Sequence, residues 1–561
     1  MALNLYPSGS MAQFGIMPDY PSHEIPLNAW GMCGNMHFTD SAVEKVAGYK
    51  SRWGVPSIAP YFVLPVQALS GNYFWLYAGL TAAHCFEVIG SSAGVHTDIT
   101  RAASPYSASG VRNWQGGVLN GVPILNNGVD VPQMWLPVSA AQKLQDLSNW
   151  PVGVTTQIIR SYGNFLVALD VTKSGVRDRQ LVKWSHPASA GAVPVSWDET
   201  DPTKDAGEYS LADTVGGLVD CVPLRDINVL YKEDSIWAMQ LVGGVNMFRF
   251  SALFRNIGVR SKNCAVEYQT GKHFVLGADS LFVHDGQTIT AVGKGKVQQW
   301  LFTQIDATNI ARSFVTLDVA NTEVWVCYPA VGQAYPNKAL LWNWVTGAFG
   351  HRDLPVTPSI ARGALNEVDT TDTWGANALP WGGSSDEWTV DADTWDAGAA
   401  NIWDRAAPAV DGSVDTWTTQ RANLIEGLVL ANPVETKLRV VVAGAEDADG
   451  VPFEGSLLRT GIGIPFVTGS PPDISSTKFC SRVWLKLVGD AGVVVQARVG
   501  SQMQLGETPS WGGWIDCTLG VTQKLDVTLT GRTFALEFRS LTLGAWRLQG
   551  YDFECQMLGR F

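Results

Sequence analysis

Short runs of aromatic and β-branched residues, each introduced by a turn, recur from about Trp30 to Arg362, and they constrain the fold more than any other feature. Examples are residues 71–77 (Gly-Asn-Tyr-Phe-Trp-Leu-Tyr), 163–169 (Gly-Asn-Phe-Leu-Val-Ala-Leu), 234–240 (Asp-Ser-Ile-Trp-Ala-Met-Gln), 271–276, 322–328 and 339–344. Runs of this length, bounded by Gly, Asp or Asn, suit a pleated surface better than a helix. Asp285-Gly286, placed between Leu281-Phe-Val-His284 and Gln-Thr-Ile, is a hairpin signature, because such turns need the positive φ that glycine supplies. Many short strands joined by turns lead to a sandwich, a barrel or a propeller. The cycle of turn, strand, hairpin and next strand favours a propeller, although the repeats are too irregular to count blades. Helices are few, and residues 138–147, with Ser139 as N-cap, form the best candidate.

At 561 residues the chain exceeds what one core normally holds, so several domains are expected. Charged residues make up 16%, below the usual quarter, while 57 glycines and 23 tryptophans favour turns and short strands over long surface helices. The expected class is all-β: an extended, proline-rich arm over 1–30, an irregular β-propeller over 31–365, an acidic connector over 366–425 and a β-sandwich over 426–561. Strict alternation at 525–529 and 534–538 marks half-buried antiparallel strands of that sandwich. A last strand near 546–557 either closes the sandwich or returns to the propeller.

The connector differs sharply from its surroundings. Between Asn366 and Trp417 there are eleven Asp or Glu and one basic residue, Arg405. Trp374, Trp381, Trp388 and Trp395 are spaced by seven, and Asp-Thr-Trp recurs at 372–374, 393–395 and 415–417. A heptad would suggest a helix, but the intervening Gly, Asp, Pro and Thr are poor helix formers. Two readings remain. Either the four indoles anchor an extended belt on a neighbouring surface, in this subunit or the next, or they are core residues of small β-turn units.

The net charge of −13, with no basic cluster, argues against a protein that grips nucleic acid through its phosphates. Solubility accounts for the charge; so does a surface past which DNA slides without sticking. The eight cysteines are widely spaced, with no CxxC pair, and sit in apolar runs, which suggests buried free thiols. No signal peptide and no run long and apolar enough to span a membrane is visible.

Three motifs look catalytic. Residues 80–85 (Leu-Thr-Ala-Ala-His-Cys) copy the surroundings of the histidine in chymotrypsin-like proteases, but no Gly-Asp-Ser-Gly-Gly follows, so His84 reads as structural. Residues 90–94 (Gly-Ser-Ser-Ala-Gly) fit a nucleophile elbow, yet another strand-like run follows where a helix is needed. Residues 385–388 and 413–417 resemble the Asp-box of sialidase propellers without its glycine. The histidines form no metal-ligand spacing, and neither a Walker A nor a dinucleotide fingerprint is present. The sequence therefore predicts no catalytic residue, no metal and no cofactor.

Three stretches, in order, resemble the tail nozzle family (tail tubular protein B) of short-tailed bacteriophages, which is related to packaged-DNA stabilisation and tail hub proteins. The first runs from Ile25-Pro-Leu-Asn-Ala-Trp30 through Asn35-Met-His-Phe38 to Gly48. The second runs from Leu181-Val-Lys-Trp-Ser185 through Val195-Ser-Trp-Asp198, Asp213-Thr-Val-Gly-Gly217, Pro223-Leu-Arg-Asp226, residues 230–236 and Asn256-Ile-Gly258 to the 281–286 hairpin. The third is the Asp-Thr-Trp belt. The resemblance implies a structural virion protein, not an enzyme, made in the host cytoplasm. It would form a hexameric ring below the tail adaptor and portal complex, contact tail fibres or spikes, and surround a channel that retains and then passes double-stranded DNA. The alternatives are a hub protein under the portal complex or, from another class, a glycan-active propeller depolymerase.

Overall fold

The computed structural model describes residues 4–7, 10–39, 42–89, 93–110, 114–244, 246–366, 424–465, 471–540 and 543–559. Among them the only helical elements are Gln298–Gln304 and a single 3-10 turn at Ile310–Arg312; all other regular structure is strand. The all-β expectation holds.

Five separate four-stranded antiparallel sheets succeed one another along the chain, over 62–98, 115–146, 154–210, 218–255 and 265–291. A sixth set of four is Phe314–Asp318, Glu323–Tyr328, Lys338–Asn343 and Phe349–Asp353. A seventh is Ser359–Asn366, Leu424–Asn432, Lys437–Val441 and, from the other end of the chain, Tyr49–Ser51. The first strand of each set packs on the first strand of the next, and Ser359–Asn366 returns to Phe62–Gln67. The seven sets are thus blades 1 to 7 of a closed propeller.

The joint between blades 7 and 1 shows how tightly the ring closes. Trp75 of blade 1 donates from its indole Nε1 to the Ala364 carbonyl of blade 7 at 2.9 Å. A Cβ at Gly363 would come within 2.4 Å of Pro65 Cβ, so only glycine permits this approach. The outer edge of blade 7 is completed by Tyr49–Ser51, which runs antiparallel to Lys437–Val441 with Val440 opposite Lys50. Asp449 holds that strand in place, accepting hydrogen bonds from the Ser51 amide at 3.0 Å and the Ser51 hydroxyl at 2.7 Å.

Two sheets form the C-terminal sandwich. One contains Met36–Phe38, Val43–Lys45, Trp546–Gly559, Thr477–Gly489 and Lys524–Gly531, with Asn4–Pro7 paired to Trp546–Gly559. The other contains Met32–Gly34, Gly455–Ile462, Thr533–Ser540 and Val494–Gln502 with two short partners. Val495, Ala497 and Val499 point inward between the more polar Gln496 and Arg498, the alternation of a half-buried strand. Phe534 stacks on Phe553 across the sandwich at 5.7 Å. Trp30, fully buried, lies edge-on to Phe538 and Tyr551, each at 6.1 Å. The final strand resolves the alternative left by the sequence. It pairs inside the sandwich, and that sheet joins the outer strand of blade 6 through Met36 opposite His351.

Several expected boundaries shift. Leu424–Asn432 and Lys437–Val441, expected near the start of the sandwich, belong to blade 7, because Leu428, Leu430, Leu438 and Val440 bury against blades 6 and 1. Residues 32–45, expected in the propeller, supply strands to both sandwich sheets. The helix expected over 138–147 is absent. Ser139 makes only one turn, with its carbonyl bound to the Gln142 amide, and Gln145–Asp146 forms the fourth strand of blade 2. Sheet completion overrides local helix propensity here, helped by the Trp135 indole bound to the Gln142 carbonyl at 2.9 Å. The helix that does form, Gln298–Gln304, has the Asp19 carboxylate of the arm at its start, accepting the amides of Gln299 and Trp300 at 2.8 and 2.7 Å.

Candidate functional site

Three buried polar constellations lie where blades or domains meet. The first ties the innermost strands together. Arg160 of blade 3 forms a two-pronged ion pair with Asp220 of blade 4, at 3.0 and 3.1 Å. It also donates to the Gly116 carbonyl of blade 2 at 3.2 Å and to Asn263 Oδ1, just before blade 5, at 2.5 Å. Asp220 accepts two further bonds, from the amides of Cys221 and Asn263. Burial alone would lower the Arg160 pKa, but the Asp220 charge and its hydrogen bonds outweigh it and hold the guanidinium ionised. Four blades are fixed in relative position by one arginine.

The second lies between blades 4 and 5. The Tyr231 hydroxyl is 2.6 Å from His273 Nδ1 and 2.7 Å from His284 Nε2. His273 Nε2 contacts the Pro223 carbonyl at 2.8 Å, which makes Nε2 the protonated nitrogen and leaves Nδ1 as an acceptor. His284 Nδ1 accepts from the Gly286 amide, so its Nε2 carries the hydrogen. The chain of donation therefore runs from His284 to Tyr231 to His273 to Pro223, with both imidazoles neutral. Burial lowers both histidines, His284 to about 3.

The third is a cavity of about 310 Å³ at the junction of blade 6, blade 7 and the sandwich. Its wall includes Asn35, Tyr49, Arg352, Asp353, Phe453 and Glu454. Arg352 is 2% exposed; its guanidinium stacks on Trp325 at 4.3 Å and donates from Nη2 to the Ala47 carbonyl at 3.1 Å. Its Nε is buried without a partner. Burial lowers its pKa, against the opposing charges of Glu323 and Asp318. Close by, His37 of the sandwich meets Glu323 of blade 6 at 2.9 Å, both buried. Among the described residues no group of three or more His, Cys, Asp or Glu could hold a metal ion.

The candidates singled out from the sequence do not meet at any of these places. His84 lies on the third strand of blade 1, stacked on Tyr77 at 5.7 Å, with Asp98 4.0 Å from its Nε2 and its Nδ1 buried without a partner. A general-base histidine needs the reverse, a carboxylate on Nδ1 and a free Nε2. Burial also lowers its pKa. The Gly90–Gly94 motif lies partly, and Trp374, Trp381, Trp388 and Trp395 lie wholly, outside the described residues. The Asp-box-like stretches at 385–388 and 413–417 lie outside them too. The belt's points of attachment are described: Asn366 and Leu424 end the inner hairpin of blade 7.

All eight cysteines are buried free thiols, and Cys480 and Cys555 face each other across two sandwich strands. Among the described residues no helix is long and apolar enough to cross a membrane.

No protein-family model matches the chain, and no curated protein matches it. Among solved structures, PorZ, an essential bacterial surface component of the type-IX secretion system of Porphyromonas gingivalis, is similar at 8% identity, with a TM-score of 0.33. That match covers 57% of this chain and 36% of that one. The CNH domain of AfRom2 is similar at 10% identity and a TM-score of 0.32, over 58% of this chain and 96% of that one.

Proposed function

We propose that this chain is a structural virion protein that forms the distal nozzle ring of a short phage tail. The reading is carried by the ordered resemblance of residues 25–48 and 181–286 to the nozzle family. Those segments lie on consecutive elements: the first threads from the arm through both sandwich sheets toward blade 7, and the second crosses blades 3 to 5.

The architecture suits a part that must resist mechanical load. The ring is closed by a strand from its own N-terminal region, and one sandwich sheet is continuous with blade 6. Opening the propeller at blade 7 therefore requires rupture of the ladder between Tyr49–Ser51 and Lys437–Val441. In the proposed assembly six copies surround an axial channel beneath the tail adaptor. A net charge of −13 disfavours adhesion of the phosphates of passing DNA.

Native mass measurement of the chain with its adaptor tests this, together with electron microscopy of tagged particles. The expected result is six copies per assembly and tag density at the far end of the tail. A closed dimer or trimer in the particle, or density beneath the portal complex, would overturn it, the latter in favour of the hub.

A further inference from the structure

The cavity at the junction of blade 6, blade 7 and the sandwich has features that neither the fold nor the proposed ring requires. A guanidinium taken out of water normally meets a carboxylate or a full set of acceptors. Arg352 has neither. Among the described residues no carboxylate lies within ion-pair distance of it, its one hydrogen bond goes to Ala47, and its Nε is orphaned. Arg439, 3% exposed and stacked over the Tyr49 ring at 5.4 Å, also leaves Nε and Nη1 without partners, although its Nη2 reaches Glu435 and Asp449. Two buried arginines thus lie near Tyr49, and three of their nitrogens have no hydrogen-bond partner among the described residues.

The space beside Arg352 is large enough for a small molecule, at about 310 Å³. Its wall is graded. Arg352, Asn35 and Leu354 are buried, whereas Asp353 and Glu454 are exposed and set the two negative charges at the mouth. Asp353 is held there by Asn35 Nδ2 at 3.2 Å and Lys338 Nζ at 3.4 Å.

We propose that this cavity binds a small oxyanion of the phosphate or carboxylate class, with its oxygens on the Arg352 guanidinium. The planar fork of arginine matches both anions. The carboxylates at the mouth repel the anion and weaken its binding. Because blade 6, blade 7 and the sandwich all contribute to the wall, occupancy stabilises their junction by mass action.

The test uses the full chain in buffer free of phosphate and organic acids. Thermal unfolding is followed while inorganic phosphate or citrate is added, with chloride at matched ionic strength as control. The expected result is a saturable rise in the unfolding midpoint with phosphate, citrate or both. Arg352→Met should weaken that response about tenfold or more, the range for a hydrogen bond to a charged group. Asp353→Asn, on the exposed rim, should strengthen it by a factor of about 1.4 to 5, the range for an exposed charge pair. A wild-type chain that responds to phosphate and citrate no more than to chloride overturns the proposal, and the cavity then holds water only. An undiminished response in Arg352→Met also overturns it. If Arg352→Met does not fold, Asp353→Asn decides, and a response no stronger than wild type overturns the proposal.

Discussion

Asn366 and Leu424 face each other as cross-strand partners at the end of the inner hairpin of blade 7, although residues 367–423 lie between them in the chain. The ladder below them is continuous down to Ser359 opposite Ala431. The acidic, tryptophan-rich segment is therefore inserted at a single point of a sheet that is complete without it.

Replacing residues 367–423 by an Asn-Gly turn should accordingly leave the unfolding midpoint unchanged, since two residues suffice to join antiparallel partners. Under the proposed function the same variant should fail to enter the tail, and Trp388→Ala should enter it poorly while melting normally. A large drop in the melting temperature of Trp388→Ala, from a loss of about 3–5 kcal/mol, would instead place that indole in the core of its own subunit.

Arg160→Met should destabilise the propeller by about 3–5 kcal/mol, because Asp220 is left charged and buried without its partner. Adding Asp220→Asn should recover much of that loss, since the amide needs no counter-ion and its oxygen still accepts from the Asn263 or Cys221 amide. Urea unfolding of the two variants measures both effects. Equal stabilities would show that the unpaired Asp220 charge costs nothing.

Tyr231→Phe removes the donor to His273 Nδ1 and the acceptor for His284 Nε2 in one step. A loss of about 2–5 kcal/mol is expected from two buried groups left unsatisfied. The same histidines set an acid limit. Their folded pKa values lie below the ordinary 6.5, with His284 near 3. Their contribution is therefore complete above pH 6.5 and is lost as the pH falls toward about 3. Unfolding measured from pH 7 down to pH 4 should show that decline.

His37 works in the opposite sense. Burial would lower its pKa, but the Glu323 carboxylate and the hydrogen bond to it raise it above 6.5. The stabilisation from this pair is complete below pH 6.5 and fades as the pH rises through the higher folded value. His37→Gln should remove that alkaline decline. A variant that keeps the wild-type profile from pH 6 to pH 9 would show that the pair does not titrate there.

The blades were legible where strands are long and dense in aromatic or β-branched residues, as at Glu323–Tyr328 and Ser235–Leu241. Ring closure was not. Its strand, Tyr49–Ser51, has only three residues, of which Tyr49 alone favours a strand, and its partner lies almost four hundred positions away. Leu424–Val441 read like the sandwich strands that follow, since alternation shows which residues are buried but not against what. The sequence did hold a signal for the histidine relay: His273 and His284 each interrupt or end an apolar run, Lys-His-Phe-Val-Leu and Leu-Phe-Val-His. Arg352 carried none, because its neighbours His351 and Asp353 make it resemble a surface strand, and its contacts, Trp325 and the Ala47 carbonyl, are distant in sequence.

Closure of blade 7 by Tyr49–Ser51 also has a consequence for synthesis. The ribosome makes this strand early, but its partner, Lys437–Val441, emerges only after most of the propeller has been translated. Until then Tyr49–Ser51 has no antiparallel partner, and blade 7 cannot be completed. Val43–Lys45 waits longer still, for Trp546–Gly559. A product that ends before Lys437 therefore lacks the ladder to Tyr49–Ser51, and one that ends before Trp546 lacks the pairing of Val43–Lys45 as well.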